Sequence, residues 1–116
     1  MRLAAIAVAA LPAPTAMWAQ PLAWAPSAEQ VAKVEKTMAV STLPKPLLQA
    51  ERHYFGTFDQ QGRRLIFAQY LWLSGSKPGM TIGANSATAD GGCGVYNVWY
   101  DPFTETIVKA GCGGRG

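Results

Sequence analysis

The two cysteines of this chain, Cys93 and Cys112, enclose the segment that most constrains its fold. Two runs rich in β-branched and aromatic residues, 95–100 and 106–110, lie between them and flank an Asp-Pro-Phe-Thr sequence that is typical of a turn. The pattern predicts a β-hairpin whose open end is closed by a disulfide. Such a bond would close a loop of about 20 residues and stabilise a small exported domain by roughly 3 kcal/mol.

The register of this hairpin has two solutions. A tight turn centred between Pro102 and Phe103 would place the two cysteines directly opposite each other. A four-residue loop closed by residues 101 and 106 would shift the register by two and make the cysteines diagonal, with Glu105 where glycine is usual. Both arrangements allow the disulfide, because glycines adjoin each cysteine.

The first residues have the layout of a secretory signal peptide. Arg2 precedes an apolar run, residues 3–11, that is too short to span a bilayer and is followed by prolines. Cleavage after Ala19 is favoured over cleavage after Ala25, because Pro26 would follow the second cut. We therefore expect an exported protein, periplasmic or secreted, of a bacterium.

The rest of the chain is expected to form a single domain. We divide it into a signal peptide (1–19), an N-terminal arm (20–26) that Trp24 attaches to the body, and an α+β domain (27–116). The net charge of the whole chain is +3 and its basic residues are scattered, so no nucleic-acid partner is expected. No later apolar run reaches membrane-spanning length, so we expect no transmembrane segment in the mature chain.

An amphipathic helix is predicted over residues 28–39. Ser27 and Gln30 have the spacing of a capping box at its start. Apolar residues then recur at helical spacing on one stripe. The members of this stripe are Val31, Val34 and Met38.

Strands are predicted at residues 53–58, 63–73 and 80–83, in addition to the two of the hairpin. The run 63–73 is apolar on both faces, which predicts a central position in the sheet. The order of elements predicts one helix packed on a four- to five-stranded antiparallel meander. In this element order the chain is similar to the cystatin-like architecture, although it carries no cystatin sequence motif.

The sequence offers little for catalysis. His53 is the only histidine, and an enzyme would have to use it with Glu51 or with a serine from a loop. Because the two cysteines are assigned to a disulfide, too few ligands remain for a zinc site, and no phosphate-binding glycine motif is present. We expect no metal and no cofactor, and we lean against an enzyme.

The aromatic residues of the predicted sheet are the most suggestive feature. A single helix covers only one face of a sheet, so some of these rings must lie on the other face. They are covered by the glycine-rich loop and the arm, or they form a homodimer interface, or they form a recognition surface. The residues we assign to a possible binding surface are Tyr70, Trp72, Tyr96 and Trp99.

The favoured function is therefore a non-catalytic binding module that uses aromatic sheet surface, either to bind a protein partner or as an inhibitor. The alternatives are a small secreted hydrolase-type enzyme using His53, and a structural or assembly subunit of the cell envelope.

Overall fold

The computed structural model describes residues 22–84 and 91–113, so the predicted signal peptide (1–19) lies outside the described residues. Short 3-10 turns lie at Leu47–Gln49 and Gly92–Gly94. No helix in the described part is both long and apolar enough to cross a membrane. The main elements are α1 (Ala28–Ala39), β1 (Glu51–Phe58), β2 (Arg64–Leu71), β3 (Gly79–Gly83), β4 (Val95–Asp101) and β5 (Thr106–Cys112).

Helix α1 begins as its sequence predicts. The Gln30 amide donates to Ser27 Oγ at 3.0 Å, and the Ser27 amide donates to Gln30 Oε1 at 2.9 Å, so the capping box is complete. Each bond satisfies a backbone N–H that the helix itself leaves free. The predicted stripe is the buried face, with Val31, Val34 and Met38 at no more than 1% exposure. Full burial of each such side chain contributes about 1.5–3 kcal/mol.

The five strands form one sheet in the order β3-β1-β2-β4-β5, with β2 at the centre as predicted. Its residues alternate between two apolar faces. Ile66, Ala68 and Tyr70 belong to the core under α1, and Leu65 and Phe67 are buried on the opposite face. The sheet thus confirms the α+β class and the two-sided burial of its longest run.

The prediction of a purely antiparallel meander is wrong. β3 does not lie between β2 and β4 but pairs in parallel with β1 at the edge of the sheet. The segment after β2 is drawn to the start of β1, because Glu51 Oε1 accepts the Lys77 amide at 3.1 Å. The Gly79 amide then donates to the Ala50 carbonyl at 3.4 Å and starts the parallel pairing. The cystatin-like element order is therefore matched only in part.

The N-terminal arm is attached to the sheet by Trp24, as predicted. Its indole Nε1 donates to the Thr57 carbonyl at 2.9 Å. The backbone and ring of Trp24 lie directly against Gly56, where an added Cβ would meet Trp24 Cδ2 at 2.6 Å. The guanidinium of Arg64 covers the same ring at 4.9 Å from its centroid. Trp24 is consequently only 7% exposed.

The hairpin adopts the longer of the two predicted loops. Asp101 pairs with Thr106, and Glu105 has the positive φ (59°) that favours glycine. The register then shifts once more, because Trp99 pairs with Lys109 and Tyr100 with Ile107, which leaves Val108 as an extra residue in β5. This is a β-bulge.

The disulfide between Cys93 and Cys112 is confirmed, with 4.6 Å between the Cα atoms. It does not join paired strand residues, however. The bulge and the longer loop place Tyr96 opposite Cys112, and Cys93 lies in the 3-10 turn that precedes β4. The bond therefore attaches the end of β5 to this turn rather than closing a ladder.

Candidate functional site

The four aromatic residues predicted as a binding surface do not lie on one surface. Tyr70 is fully buried in the core under α1, and Trp72 and Tyr96 pack against that core. Trp72 Nε1 donates to the Pro46 carbonyl at 2.9 Å. Trp99 alone lies on the opposite face of the sheet, where it contacts Phe67.

The opposite face carries a row of rings that crosses the sheet. Phe55, Phe67, Trp99 and Lys109 are successive cross-strand partners. The ring centroids of Phe55 and Phe67 are 6.4 Å apart, and those of Phe67 and Trp99 are 4.9 Å apart. Phe55 and Phe67 are only 6% and 8% exposed, so only the end of the row at Trp99 and Lys109 is accessible.

His53 and Glu51 form the contact that an enzyme hypothesis requires. His53 Nε2 lies 2.7 Å from Glu51 Oε2, and the same carboxylate accepts the Lys77 amide. The hydrogen bond from His53, followed by that from Lys77, lowers the pKa of Glu51 below its usual value. Nevertheless, within residues 22–84 and 91–113 no hydroxyl or thiol hydrogen-bonds to His53. The Glu51 carboxylate also attaches the loop after β2 to β1, through the Lys77 amide.

A second polar cluster lies between α1 and β1. Glu35 Oε2 accepts Arg52 Nε at 2.6 Å and the Tyr54 hydroxyl at 2.7 Å. Burial raises the pKa of Tyr54 and of Tyr70 far above the usual range, so both phenols stay protonated at physiological pH. The cluster satisfies the Tyr54 hydroxyl, whereas the buried Tyr70 hydroxyl has no hydrogen-bond partner among the described residues.

The described ranges contain no group of three or more His, Cys, Asp or Glu side chains that could hold a metal ion.

Three segments of the described chain, two turns and the arm, lie at one end of the sheet, although exposed apolar side chains such as Val40 (87%) and Leu48 (71%) also occur outside it. β1 and β4 are both antiparallel to β2, so their following turns, residues 59–63 and 102–105, lie at the same end. The arm, residues 22–26, reaches this end through Trp24. We call these three segments the hairpin end.

The turn after β4 presents Phe103 at 94% exposure. Asp101 holds this turn: its Oδ1 accepts the amides of Phe103 at 2.8 Å and Thr104 at 3.2 Å, and its carbonyl accepts that of Glu105 at 2.7 Å. Lys33 on α1 bonds to the Glu105 carboxylate at 2.9 Å. An apolar ring is thus held out in water on a hydrogen-bonded turn.

The turn after β1 is held in the same way. Asp59 Oδ1 accepts the amides of Gln61 and Arg63 at 2.8 Å each, and its Oδ2 accepts Arg63 Nε at 2.7 Å. These bonds, the Arg63 amide first, lower the pKa of Asp59. Gly62 takes the positive φ (82°) that the turn requires.

Two open grooves of about 560 Å³ each lie beside these turns, and Arg63 lines both. The groove on the side of α1 is lined by Arg64 and Phe103. The groove on the other face is lined by Trp99 and Lys109. The hairpin end therefore consists of two projecting turns, each beside a groove, and Arg63 lines both grooves.

Comparison of the chain with models of protein families, with curated proteins and with solved structures finds no match. The function must therefore be argued from the geometry of the chain itself.

Sequence reasoning did not single out Phe103, Arg64 or Lys109 as site residues. A signal for the first is present, because an aromatic residue directly after Asp-Pro in a turn has no strand face on which to be buried. For the two cations no local signal exists, since their importance depends on which turns and rings lie beside them.

Proposed function

We propose that this protein is a non-catalytic binding module that engages a protein partner through its hairpin end, in the manner of an inhibitor that fills a cleft. The observation that carries the proposal is the 94% exposure of Phe103 on a turn held by Asp101. A projecting end with an aromatic anchor is complementary to a concave surface on the partner.

Burying an aromatic side chain removes apolar area from water and stabilises the fold. A large ring that stays exposed gives up this stabilisation, and folding by itself does not require that. The rings inside the sheet are buried, whereas Phe103 is 94% exposed and is the one aromatic residue among the exposed large apolar side chains of the described residues. Aromatic residues and arginines dominate the binding energy of protein interfaces. Both residue types occur here side by side, Phe103 with Arg64 in one groove.

The rigidity of the turn also favours binding. Ordering a flexible loop on association costs free energy, whereas a loop already held in one conformation avoids this cost. The bonds from Asp101 to the backbone of Phe103 and Thr104 hold the loop in advance. The Asp59 turn on the other projection is fixed by equivalent bonds.

Export to the periplasm or the medium is part of this proposal. Support comes from the disulfide, which persists in oxidising compartments, and from the layout of the first residues.

Site-specific photo-crosslinking in the producing cells tests the proposal. A photoreactive phenylalanine analogue at Phe103 is expected to trap a partner protein, and the same analogue at Leu48, which is 71% exposed, is not. Leu48 lies in the 3-10 turn before the start of β1, whereas Phe103 follows β4 at the opposite end of the sheet, so it is a matched control.

Measuring the affinity for the trapped and purified partner then shows how much Phe103 contributes to binding. Phe103→Ala is expected to weaken binding by about 30-fold, as for an interface hot spot of about 2 kcal/mol, while Leu48→Ala leaves it unchanged. Equal cross-linking from both positions would contradict the proposal. Cross-linking only to a second copy of the chain would replace it with self-assembly.

A further inference from the structure

We infer that the segment which the partner places on the hairpin end is extended and acidic, with one carboxylate at Arg64 and a second at Lys109. This inference rests on the proposed function and adds the chemistry of the partner. It is carried by the balance of charges around the two grooves.

The two carboxylates that line the grooves are already committed to the protein itself. Asp59 accepts three hydrogen bonds from its own turn, and one of them neutralises Arg63. Asp101 Oδ1 accepts two backbone amides of the turn that follows it. Asp59 is therefore committed to its turn through both oxygens, and Asp101 is committed through Oδ1 and forms no ion pair with a cation of the grooves among the described residues.

Arg64 and Lys109 are left without an acidic partner. Among the residues that the structure describes, no carboxylate lies within 4.0 Å of either cation. Each cation instead covers an indole ring, Arg64 that of Trp24 at 4.9 Å and Lys109 that of Trp99 at 5.0 Å. The aromatic face holds the cation in place. The cation can still form an ion pair with a carboxylate of a binding partner.

The two cations lie on opposite faces of the sheet, one in each groove. Lys109 lies in the same cross-strand row as Phe67, two strands away from it. Phe67 is three residues along β2 from Arg64. From about 3.3 Å per residue and about 4.8 Å per strand, the Cα atoms of Arg64 and Lys109 are roughly 14 Å apart. An extended segment that passes between the two turns therefore needs its two acidic residues at least about four positions apart.

Selection from a displayed library of random twelve-residue peptides, with the purified disulfide-bonded protein as bait, tests the inference. Enriched peptides are expected to carry two acidic residues at this spacing and an apolar residue between or beside them. Binding should weaken as NaCl is raised from 50 to 500 mM, because salt screens exposed charges. Recovery of no binders, or of binders without excess acid, overturns the inference.

Charge variants assign the contacts. Arg64→Glu and Lys109→Glu are each expected to weaken a selected peptide at least about tenfold, and replacing its acidic residues with lysine should restore binding to the double variant. Lys45→Glu, at an exposed position outside both grooves, should have no effect. Arg64→Lys keeps the charge if Arg64→Glu disturbs folding, and it should retain most of the affinity.

The two proposals fail in different ways. If Phe103→Ala abolishes binding and the charge variants do not alter it, the hairpin end binds its partner and this inference is wrong. If the charge variants abolish binding and Phe103→Ala does not, the partner's segment is acidic as inferred, and Phe103 is not the anchor.

Discussion

Gly56 shows how one residue attaches the arm to the sheet. Trp24 lies so close to this glycine that a methyl group there would meet its Cδ2 atom at 2.6 Å, and its carbonyl oxygen is closer still. Because backbone atoms contribute to this contact, a rotamer change cannot relieve it. The arm, the ring of Trp24 and the cation above it all depend on the missing side chain.

Gly56→Ala is therefore expected to destabilise the protein by about 1–3 kcal/mol, the usual cost of overpacking. Urea unfolding measures this change, and hydrogen exchange should show lost protection of the Trp24 indole N–H, which donates to the Thr57 carbonyl. Gly83→Ala is the matched control on the neighbouring strand, because its Cβ would meet only the Phe55 ring at 3.6 Å. Equal stability of the two variants would show that the arm is not packed in this way.

Glu51 makes the stability depend on pH. Its pKa is lowered by the hydrogen bonds from His53 and Lys77. A carboxyl group whose pKa is lower in the folded state stabilises the fold above its unfolded pKa, and the contribution is lost as the pH falls through the folded pKa. For this group the loss therefore begins near the ordinary value of 4.5 and continues below it.

Glu51→Gln should cost about 0.5–1 kcal/mol at pH 7, because the side chain is 34% exposed and solvent screens the pair. The difference from the wild type should shrink as the pH is lowered from 5 to 3. A double-mutant cycle with His53→Gln, followed by urea unfolding, isolates the pair. A difference independent of pH would exclude the ionic contribution.

The hairpin of β4 and β5 combines a strained turn with an edge strand that has features against pairing with other chains. Glu105 has a φ of 59°, which is unfavourable for a residue with a side chain, and its carboxylate bonds to Lys33. β5 is an outer strand, and it carries Lys109 and the bulge at Val108. Charges and bulges are features by which natural edge strands resist pairing with other chains. This edge therefore favours a binding module over a subunit that assembles through β5.

Glu105→Gly is expected to remove the backbone strain and the bond to Lys33 together. In 1 M NaCl, where the exposed ion pair is screened, the variant should be more stable than the wild type by about 0.5–1 kcal/mol. At low salt the gain should be smaller. Urea unfolding at both salt concentrations measures the effect, and Lys33→Met gives the ion-pair contribution alone. If the variant is less stable than the wild type in high salt, the backbone at Glu105 is not strained.

The disulfide acts on the scale of the whole molecule. It attaches the end of β5 to the turn at Gly92–Gly94. That turn is itself bonded to the segment after β2, because the Trp72 amide donates to the Gly94 carbonyl at 2.8 Å. The disulfide and this hydrogen bond together link the edge strand β5 to the segment after the central strand β2, at the end of the sheet away from the proposed site.

Replacing both cysteines by serine should lower the free energy of unfolding by about 3 kcal/mol, given the sequence separation of 19 residues. Chemical denaturation measures the loss. A thiol reductant should destabilise the wild type to the same extent and leave the variant unchanged, which separates the bond from the effect of the substitutions. Binding at the hairpin end should persist in the variant under conditions where it is folded.

Local signals were enough for the elements of this protein. The capping box of Ser27 and Gln30 and the apolar stripe of α1 predicted the helix, because both depend on residues three or four positions apart. The two apolar faces of residues 63–73 predicted the central strand. The two cysteines predicted their own bond, because a disulfide is the usual use of two cysteines in a small domain that is expected to be exported.

The tertiary structure alone decided where these elements lie. Parallel pairing of β3 with β1 depends on Glu51 and Lys77, which are far apart in the chain, and the register of the hairpin depends on a bulge that no turn residue specifies. The four aromatic residues predicted as one surface are divided between two faces for the same reason. Which ring is buried and which is left in water is a property of the contacts between elements, and those contacts place Phe103, Arg64 and Lys109 at one end of the sheet.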